Sequence, residues 1–146
     1  MLVRAAREIE AADPPLSKAQ FITRVNKLCR PAWPKIRRRL AVYRGTQDPE
    51  LSAQRRFKQG IAQSLLPEIK SRIFDPMLAL GAPQGGRSEV EEIMRWLGEA
   101  IEIGQGEFAI TTPVLVWDLF DMFNPLARRY GLGNCLVNAA HTRFEE

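Results

Sequence analysis

The sequence predicts an all-α protein, an antiparallel bundle of four to five helices, several of which are kinked by proline. Three observations support this fold class. Apolar residues recur every three or four positions along most of the chain, which is the period of an amphipathic helix. Capping residues and prolines mark helix starts, and glycines mark helix ends. No segment alternates polar and apolar residues with β-branched enrichment, so no strand is predicted.

The composition fits one globular domain. The chain has 146 residues, of which 45% are hydrophobic and 26% charged, enough for one packed core but not for two. We expect residues 17–146 to form a single helical-bundle domain. Residues 1–16 are rich in alanine and charge and end in Pro14 and Pro15, which lack a backbone donor. We expect this stretch to be an arm or short helix outside the core.

The first predicted helix begins after Ser17, an N-cap residue, and ends at Gly45. Pro31 and Pro34 must kink or divide it, because proline removes a helical hydrogen bond and its ring clashes with the preceding turn. The apolar face of this helix consists of Phe21, Val25, Leu28, Ala32, Ile36, Leu40 and Tyr43.

The second predicted helix begins at Asp48, an N-cap residue followed by Pro49 at the first helical position. Pro67 and Pro76 are expected to bend it. Its buried stripe consists of Phe57, Ile61, Leu65, Ile69, Ile73, Met77 and Leu80. Residues 81–86, which are rich in glycine, form a loop.

The third predicted helix opens with Ser88 and Glu91 in capping-box spacing, and Gly104 and Gly106 close it.

Thr112 and the proline after it start a further apolar helix, which restarts near Asn124 after a break. Gly131 ends this last helix in the left-handed conformation, and Leu132 supplies the apolar contact that follows such an end.

Two cysteines lie at defined places: Cys29 in the first helix and Cys135 just past the last one. A disulfide between them and two unrelated buried thiols are both compatible with the spacing. His141 is the single histidine and lies six residues from Cys135, so a cysteine nucleophile has no well-placed base. Two cysteines and one histidine also fall short of a four-ligand zinc site. We predict no catalytic residue, no metal and no cofactor.

The loop before the third helix imitates the phosphate-binding pattern of nucleotide hydrolases, two glycines five apart followed by a basic residue and a hydroxyl. Arg87 replaces the required lysine, the preceding segment is predicted as helix instead of strand, and Pro83 removes a backbone donor. An interhelical turn is the simpler interpretation. For Asp118 and Asp121, the polar edge of an amphipathic helix is likewise simpler than an acid–base pair or a cation site.

Two basic clusters are candidate anion-binding sites, since both could contact phosphates. They consist of Lys35, Arg37, Arg38 and Arg39 in the first helix and Arg55, Arg56 and Lys58 in the second. No recognition-helix turn, interleaved aromatic residues or zinc framework accompanies them, which favours a solvated helix face over nucleic-acid binding. The net charge of +4 mainly sets solubility.

No membrane span is predicted from the sequence. The most apolar stretch, residues 108–123, is interrupted by Asp118 and Asp121 before it reaches the 18 or so residues that a span needs. The residues after Met1 lack the apolar core and cleavage site of a signal peptide. An export signal or anchor is therefore expected only upstream of Met1.

Three stretches carry a resemblance to a known group of proteins: residues 21–29, which end in Cys29; residues 78–93, which contain Pro83 and Gly86; and residues 124–132, which lead to Cys135. In order and spacing they resemble small bacterial secreted or lipid-anchored helical proteins, mostly without assigned function, with one cysteine in the first helix and one near the C-terminus. The resemblance implies a Cys29–Cys135 disulfide in an oxidising, extracytoplasmic compartment. It implies no particular activity.

Together these features predict a non-enzymatic helical-bundle protein of the cell envelope or the secreted fraction, which binds an unknown protein or a cell-surface component. Two alternatives stay open. One is a cytosolic binder of nucleic acid or another polyanion through the basic clusters. The other is a carrier of a small ligand in a pocket between helices that the prolines splay apart.

Overall fold

The computed structural model describes the backbone of residues 9–105 and 116–142, and the side chains of the same residues except 116 and 117. This part of the chain contains no strand beyond one isolated bridge, so the all-α fold class is confirmed. The antiparallel order of the helices stays a prediction. The helices are α1 (Lys18–Gly45), α2 (Ala53–Gly60), α3 (Leu66–Ile69), α4 (Asp75–Leu80), α5 (Arg87–Gln105), α6 (Phe123–Tyr130) and α7 (Ala139–Thr142).

Helix α1 begins where the sequence predicts. The Ser17 side chain accepts from the Gln20 N–H at 3.1 Å, and the Gln20 side chain accepts from the Ser17 N–H at 2.9 Å, which completes a capping box. The helix runs through Pro31 and Pro34 without a division, so that alternative is wrong, and a kink stays a prediction. The carbonyls that lose a helical donor belong to Lys27 and Arg30, and both are exposed residues, so water can replace the donor.

The second helical segment starts later than predicted. Asp48 does not cap it: its side chain accepts from the Glu50 N–H at 2.9 Å and closes a local turn. The cap is Ser52, whose hydroxyl accepts from the Arg55 N–H at 3.2 Å, and α2 follows. Asp48 and Ser52 are both residue types that can cap a helix, and they lie four residues apart. The helix begins after Ser52, and Asp48 with the proline that follows it forms a turn.

Residues 53–80 form one continuous helical rod in which two π-helical turns, Ile61–Leu65 and Lys70–Phe74, separate α2, α3 and α4. Each π turn ends two residues before a proline, Pro67 or Pro76, so the rod continues past residues that cannot donate in an α-helix. The two π-helical turns also help to keep the buried apolar residues of the rod on one face. A strict four-residue spacing drifts about 40° around an α-helix at each step, and the wider π turns reduce this drift.

Helix α5 begins one residue before the predicted cap. Ser88 lies inside its first turn, because the Gly86 carbonyl already accepts from the Val90 N–H at 3.0 Å. Gly86 has a positive φ of 72°, and the Tyr130 ring lies so close that a Cβ there would be 2.7 Å from it. The described part of α5 ends at Gln105, between Gly104 and Gly106, the two glycines expected to close the helix, and Gly104 is buried. Gly106 lies outside the described residues.

The last predicted helix divides into parts. The proposed start at Thr112 lies outside the described residues, and residues 116–120 form a 3₁₀ turn that contains Asp118. Helix α6 follows, close to the restart predicted at Asn124. Its end is confirmed: Gly131 is left-handed with φ 111°, and the Leu132 N–H donates to the Ala127 carbonyl at 2.8 Å while its side chain is fully buried.

The buried apolar residues form one contiguous cluster, with members on α1, the 53–80 rod, α5, α6 and the C-terminal segment. Two residues of the predicted arm pack in or against this cluster, so the expectation that the arm lies outside the core is wrong for Ile9 and Leu16, whereas residues 13–15 are exposed. Ile9 is buried, and the Ala82 N–H donates to the Glu10 carbonyl at 2.6 Å. The buried Ile9 side chain replaces water at this edge of the core, which a count of helical periods does not reveal.

We expect Gly104→Ala to destabilise the protein although alanine favours helices. A Cβ at this position would lie 2.8 Å from Leu119 Cδ1 and closer still to Leu66 Cδ1. Overpacking of this kind costs about 1–3 kcal/mol, against a gain of up to about 1 kcal/mol in helix propensity. Gly45→Ala is the matched control, since a Cβ at Gly45 has no atom within 4 Å. Urea denaturation of both variants checks this, and an equal effect of the two would contradict it.

Candidate anion-binding groove

The C-terminal segment, residues 131–142, is fastened along α1. Cys29 and Cys135 form a disulfide with a Cα–Cα distance of 5.1 Å, as the resemblance implies, so the alternative of two unrelated thiols is wrong. Both cysteines are buried, with exposed fractions of 0% and 1%. The bond therefore lies inside the core and joins positions 106 residues apart in the chain.

Hydrogen bonds on either side of the disulfide hold the same segment. Asn26 Nδ2 donates to the Gly131 carbonyl at 3.0 Å, and Asn26 Oδ1 accepts from the Asn134 N–H at 3.1 Å. Two helical turns further along α1, Trp33 Nε1 donates to the Asn134 carbonyl at 2.7 Å. Each bond satisfies a backbone group of this segment and joins it to α1.

Helix α7 lies against α1 at the end of this segment. Asn138 caps it, because its side-chain oxygen accepts from the His141 N–H at 3.1 Å. The His141 ring stacks on Trp33 with ring centroids 5.3 Å apart, and its Nδ1 contacts the Leu136 carbonyl. Arg37 donates from its guanidinium to the His141 carbonyl, so it satisfies a carbonyl near the end of the helix.

A groove of about 470 Å³ lies between α1 and α7 beside this contact. Its positive charge comes from Arg37, Arg38 and Arg44, and no carboxylate is among the described residues that line it. The full lining is Pro34, Arg37, Arg38, Leu40, Ala41, Arg44 and Thr142. Burial lowers the pKa of the Arg44 guanidinium from its ordinary value, and an arginine remains charged in proteins despite such a shift.

Seven basic residues are candidate anion-binding residues in the sequence, and only two of them, Arg37 and Arg38, line the groove. Arg39 lies 3.6 Å from Glu68, which also pairs with Arg72 at 2.6 Å, so part of the first cluster is neutralised. Lys35 and Arg55 are exposed outside the groove.

The other two residues of the second cluster have structural surroundings. Arg56 contacts the Pro49 carbonyl at 3.3 Å, and Lys58 is buried, with 8% of its surface exposed. Neither lines the groove. Sequence analysis missed Arg44, although it lies seven residues after Arg37 and therefore on the same face of a helix.

The loop that imitates a phosphate-binding motif is an interhelical turn, and the segment before it is helical, as predicted. Tyr130 Oη donates to the Gly85 carbonyl at 2.8 Å and so joins the loop to α6. Burial, and secondarily the negative charge of Glu89, raise the pKa of Tyr130 above its ordinary value. Lys18 Nζ lies 4.7 Å from the centroid of the same ring. These contacts give the loop a packing role.

The remaining candidates for chemistry are Asp118 and Asp121 and the possible metal ligands. Asp118 and Asp121 are both exposed at the 3₁₀ turn. Across the described ranges, no three of the histidine, cysteine, aspartate and glutamate residues cluster in a way that could hold a metal ion. A search of the same ranges for a helix long and apolar enough to cross a membrane finds none.

Comparison with known proteins finds no matching family model, no matching curated protein and no matching solved structure. The resemblance to secreted or lipid-anchored bacterial proteins therefore stays a prediction.

Proposed function

We propose that this chain is a non-enzymatic helical-bundle protein of the cell envelope or the secreted fraction, which binds a protein or surface component. The observation that carries the proposal is the Cys29–Cys135 disulfide. Disulfides persist in oxidising compartments, and cytosolic reductants keep most thiols of mesophilic proteins reduced.

The position of the bond supports a permanent structural role. It lies within the main apolar cluster, and Asn26 and Trp33 fasten the same segment on both sides. Catalytic and sensor cysteines are partially exposed in electropositive surroundings, whereas both sulfurs here belong to nearly fully buried residues. A bond built into the core in this way fits a protein that folds once, outside the reducing cytosol.

The experiment is to determine the thiol state of the protein in its native cells. Cells are quenched in acid and fractionated, and free thiols are then alkylated and counted by mass spectrometry. We expect the protein in the envelope or culture fluid, with neither cysteine alkylated before reduction. A cytosolic protein with both cysteines alkylated would overturn the proposal, as would enzymatic turnover that depends on Asp118, Asp121 or His141.

A second candidate, a cytosolic binder of nucleic acid or another polyanion, is favoured by the guanidinium groups that line the groove. It predicts binding to an oligonucleotide that weakens steeply with salt and with replacement of Arg37, Arg38 and Arg39. Absent or salt-independent binding would count against it. Replacement of Arg39 distinguishes this candidate from binding of a ligand in the groove. Arg39 pairs with Glu68 outside the groove, so its replacement should weaken binding of a polyanion but not binding in the groove.

A further inference from the structure

The groove between α1 and α7 brings three positively charged side chains together. Three guanidinium groups line it, and its other lining residues carry no charge. A guanidinium has five N–H donors, so Arg37 retains donors beyond the one that it gives to the His141 carbonyl. Arg38 is exposed at the groove.

The dimensions of the groove limit the ligand. Arg37 and Arg44 lie seven residues apart, which is about 10 Å along a helix. The volume of about 470 Å³ lies in the range of small-ligand sites. Pro34, Leu40 and Ala41 add apolar surface beside the arginines. An extended nucleic-acid strand would need a longer row of cations, and Lys35, Arg39 and Arg55 do not continue this one.

We propose that the groove binds a phosphate group carried by a small or headgroup-sized ligand. Phosphate matches the site because it presents up to two negative charges and several oxygens, which the planar donor forks of arginine bind in pairs. The apolar residues of the lining contact the ligand next to its phosphate. The inference goes beyond the proposed binding of a protein or surface component, because it names a phosphate-bearing ligand for one groove, and it does not depend on the compartment.

The test is a titration of the oxidised protein, residues 1–146, followed by ¹H–¹⁵N chemical shifts at constant ionic strength. The probes are inorganic phosphate and short-chain phosphatidic acid below its critical micelle concentration, with chloride as the reference anion. We expect saturable shifts at Arg38 and Arg44, with tighter binding of the phosphatidic acid. Arg38→Gln/Arg44→Gln should weaken binding about tenfold or more, the usual effect of losing charge-assisted hydrogen bonds.

The matched control is Lys35→Gln/Arg55→Gln, which removes the same charge from exposed positions outside the groove. We expect less than a twofold change in affinity. Equal losses in the two double variants would overturn the proposal, because they would show unspecific attraction. A lack of saturable phosphate binding would also overturn it. Vesicles with and without phosphatidic acid separate the two sources of phosphate: groove-dependent vesicle binding assigns a lipid headgroup, and soluble-probe binding alone assigns a free phosphate compound.

Two further outcomes would contradict the inference in favour of another occupant. The sequence after Thr142 contains Glu145 and Glu146, the nearest carboxylates along the chain. Phosphate binding seen only in Glu145→Gln/Glu146→Gln would mean that the chain's own carboxylates take the place of the ligand. Tighter binding of a single-stranded oligonucleotide, lost equally on removal of groove and non-groove cations, would assign the basic surface to nucleic acid. Neither result bears on the thiol state of Cys29 and Cys135, so the proposed compartment is tested separately.

Discussion

Replacing Cys29 and Cys135 together by alanine is expected to lower the free energy of unfolding by about 2–5 kcal/mol, the usual cost of losing a native disulfide. The bond spans 106 residues, so it closes nearly three quarters of the chain into one loop in the unfolded state. Without it the unfolded chain gains conformations that folding must remove again. The loss in stability should come with a larger dependence on denaturant, because the released chain exposes more surface.

Urea denaturation followed by circular dichroism measures both quantities. Wild-type protein unfolded in the presence of reductant is the control, since it removes the bond without changing a side chain. In the absence of denaturant, the buried bond should resist reductant until the protein opens, so its reduction should slow when unfolding slows. A change in stability below about 1 kcal/mol would contradict the role assigned to the disulfide, because chain-entropy estimates for such a loop are several times larger.

Trp33→Ala is expected to cost about 3–5 kcal/mol, the range for truncation of a large buried aromatic residue. Trp33 has 3% of its surface exposed, and it carries two contacts to the C-terminal segment besides its packing. Its Nε1 donates to the Asn134 carbonyl, and its ring stacks on His141. The substitution should therefore loosen α7 even while the disulfide remains closed. Amide hydrogen exchange should show faster exchange in residues 138–142.

Phenylalanine variants separate packing from hydrogen bonding. Trp33→Phe keeps an aromatic ring and leaves the Asn134 carbonyl without its donor, which should cost about 1–3 kcal/mol. Trp96→Phe is the matched control, because Trp96 Nε1 is buried with no hydrogen-bond partner in the described part of the chain. Because Trp96→Phe removes no hydrogen bond to the described residues, it should not lower the free energy of unfolding through a lost hydrogen bond. If both variants lost the same stability, the hydrogen bond from Trp33 would have no measurable role.

The sequence predicts only part of the candidate site in the groove, since it singles out Arg37 and Arg38 but not Arg44. Arg37 and Arg38 stand in a conspicuous run of basic residues, and charge patterning finds such runs. It does not show that Arg39 pairs with Glu68 or that Lys58 is buried, since both depend on residues distant in sequence. It also does not show that Thr142, more than 95 residues later in the chain, lines the same groove. Charge runs along one helix face are visible in a sequence, whereas their neighbours come from other elements.

Helix boundaries show the same division between local and long-range causes. Ser17 and Gly131 act at the ends of α1 and α6 as predicted, because each cap is made by atoms within a few residues. Helix α2 begins after Ser52 and not after Asp48, because the Asp48 side chain accepts from the Glu50 N–H in a local turn. Gly104 lies one residue before the described end of α5, where a helix end is predicted, but its small size is also needed by Leu66, a residue of the rod, which the sequence does not show.

The sequence by itself determined the all-α class, the main helical segments and most of the buried faces, because helical periodicity and capping are local properties of the chain. Tertiary structure decided that Ile9 joins the core, that Cys29 and Cys135 are bonded, and that α7 lies against α1 to form a cationic groove. Each of these depends on which distant segments bury surface together, and the period of a single helix carries no information about its neighbour.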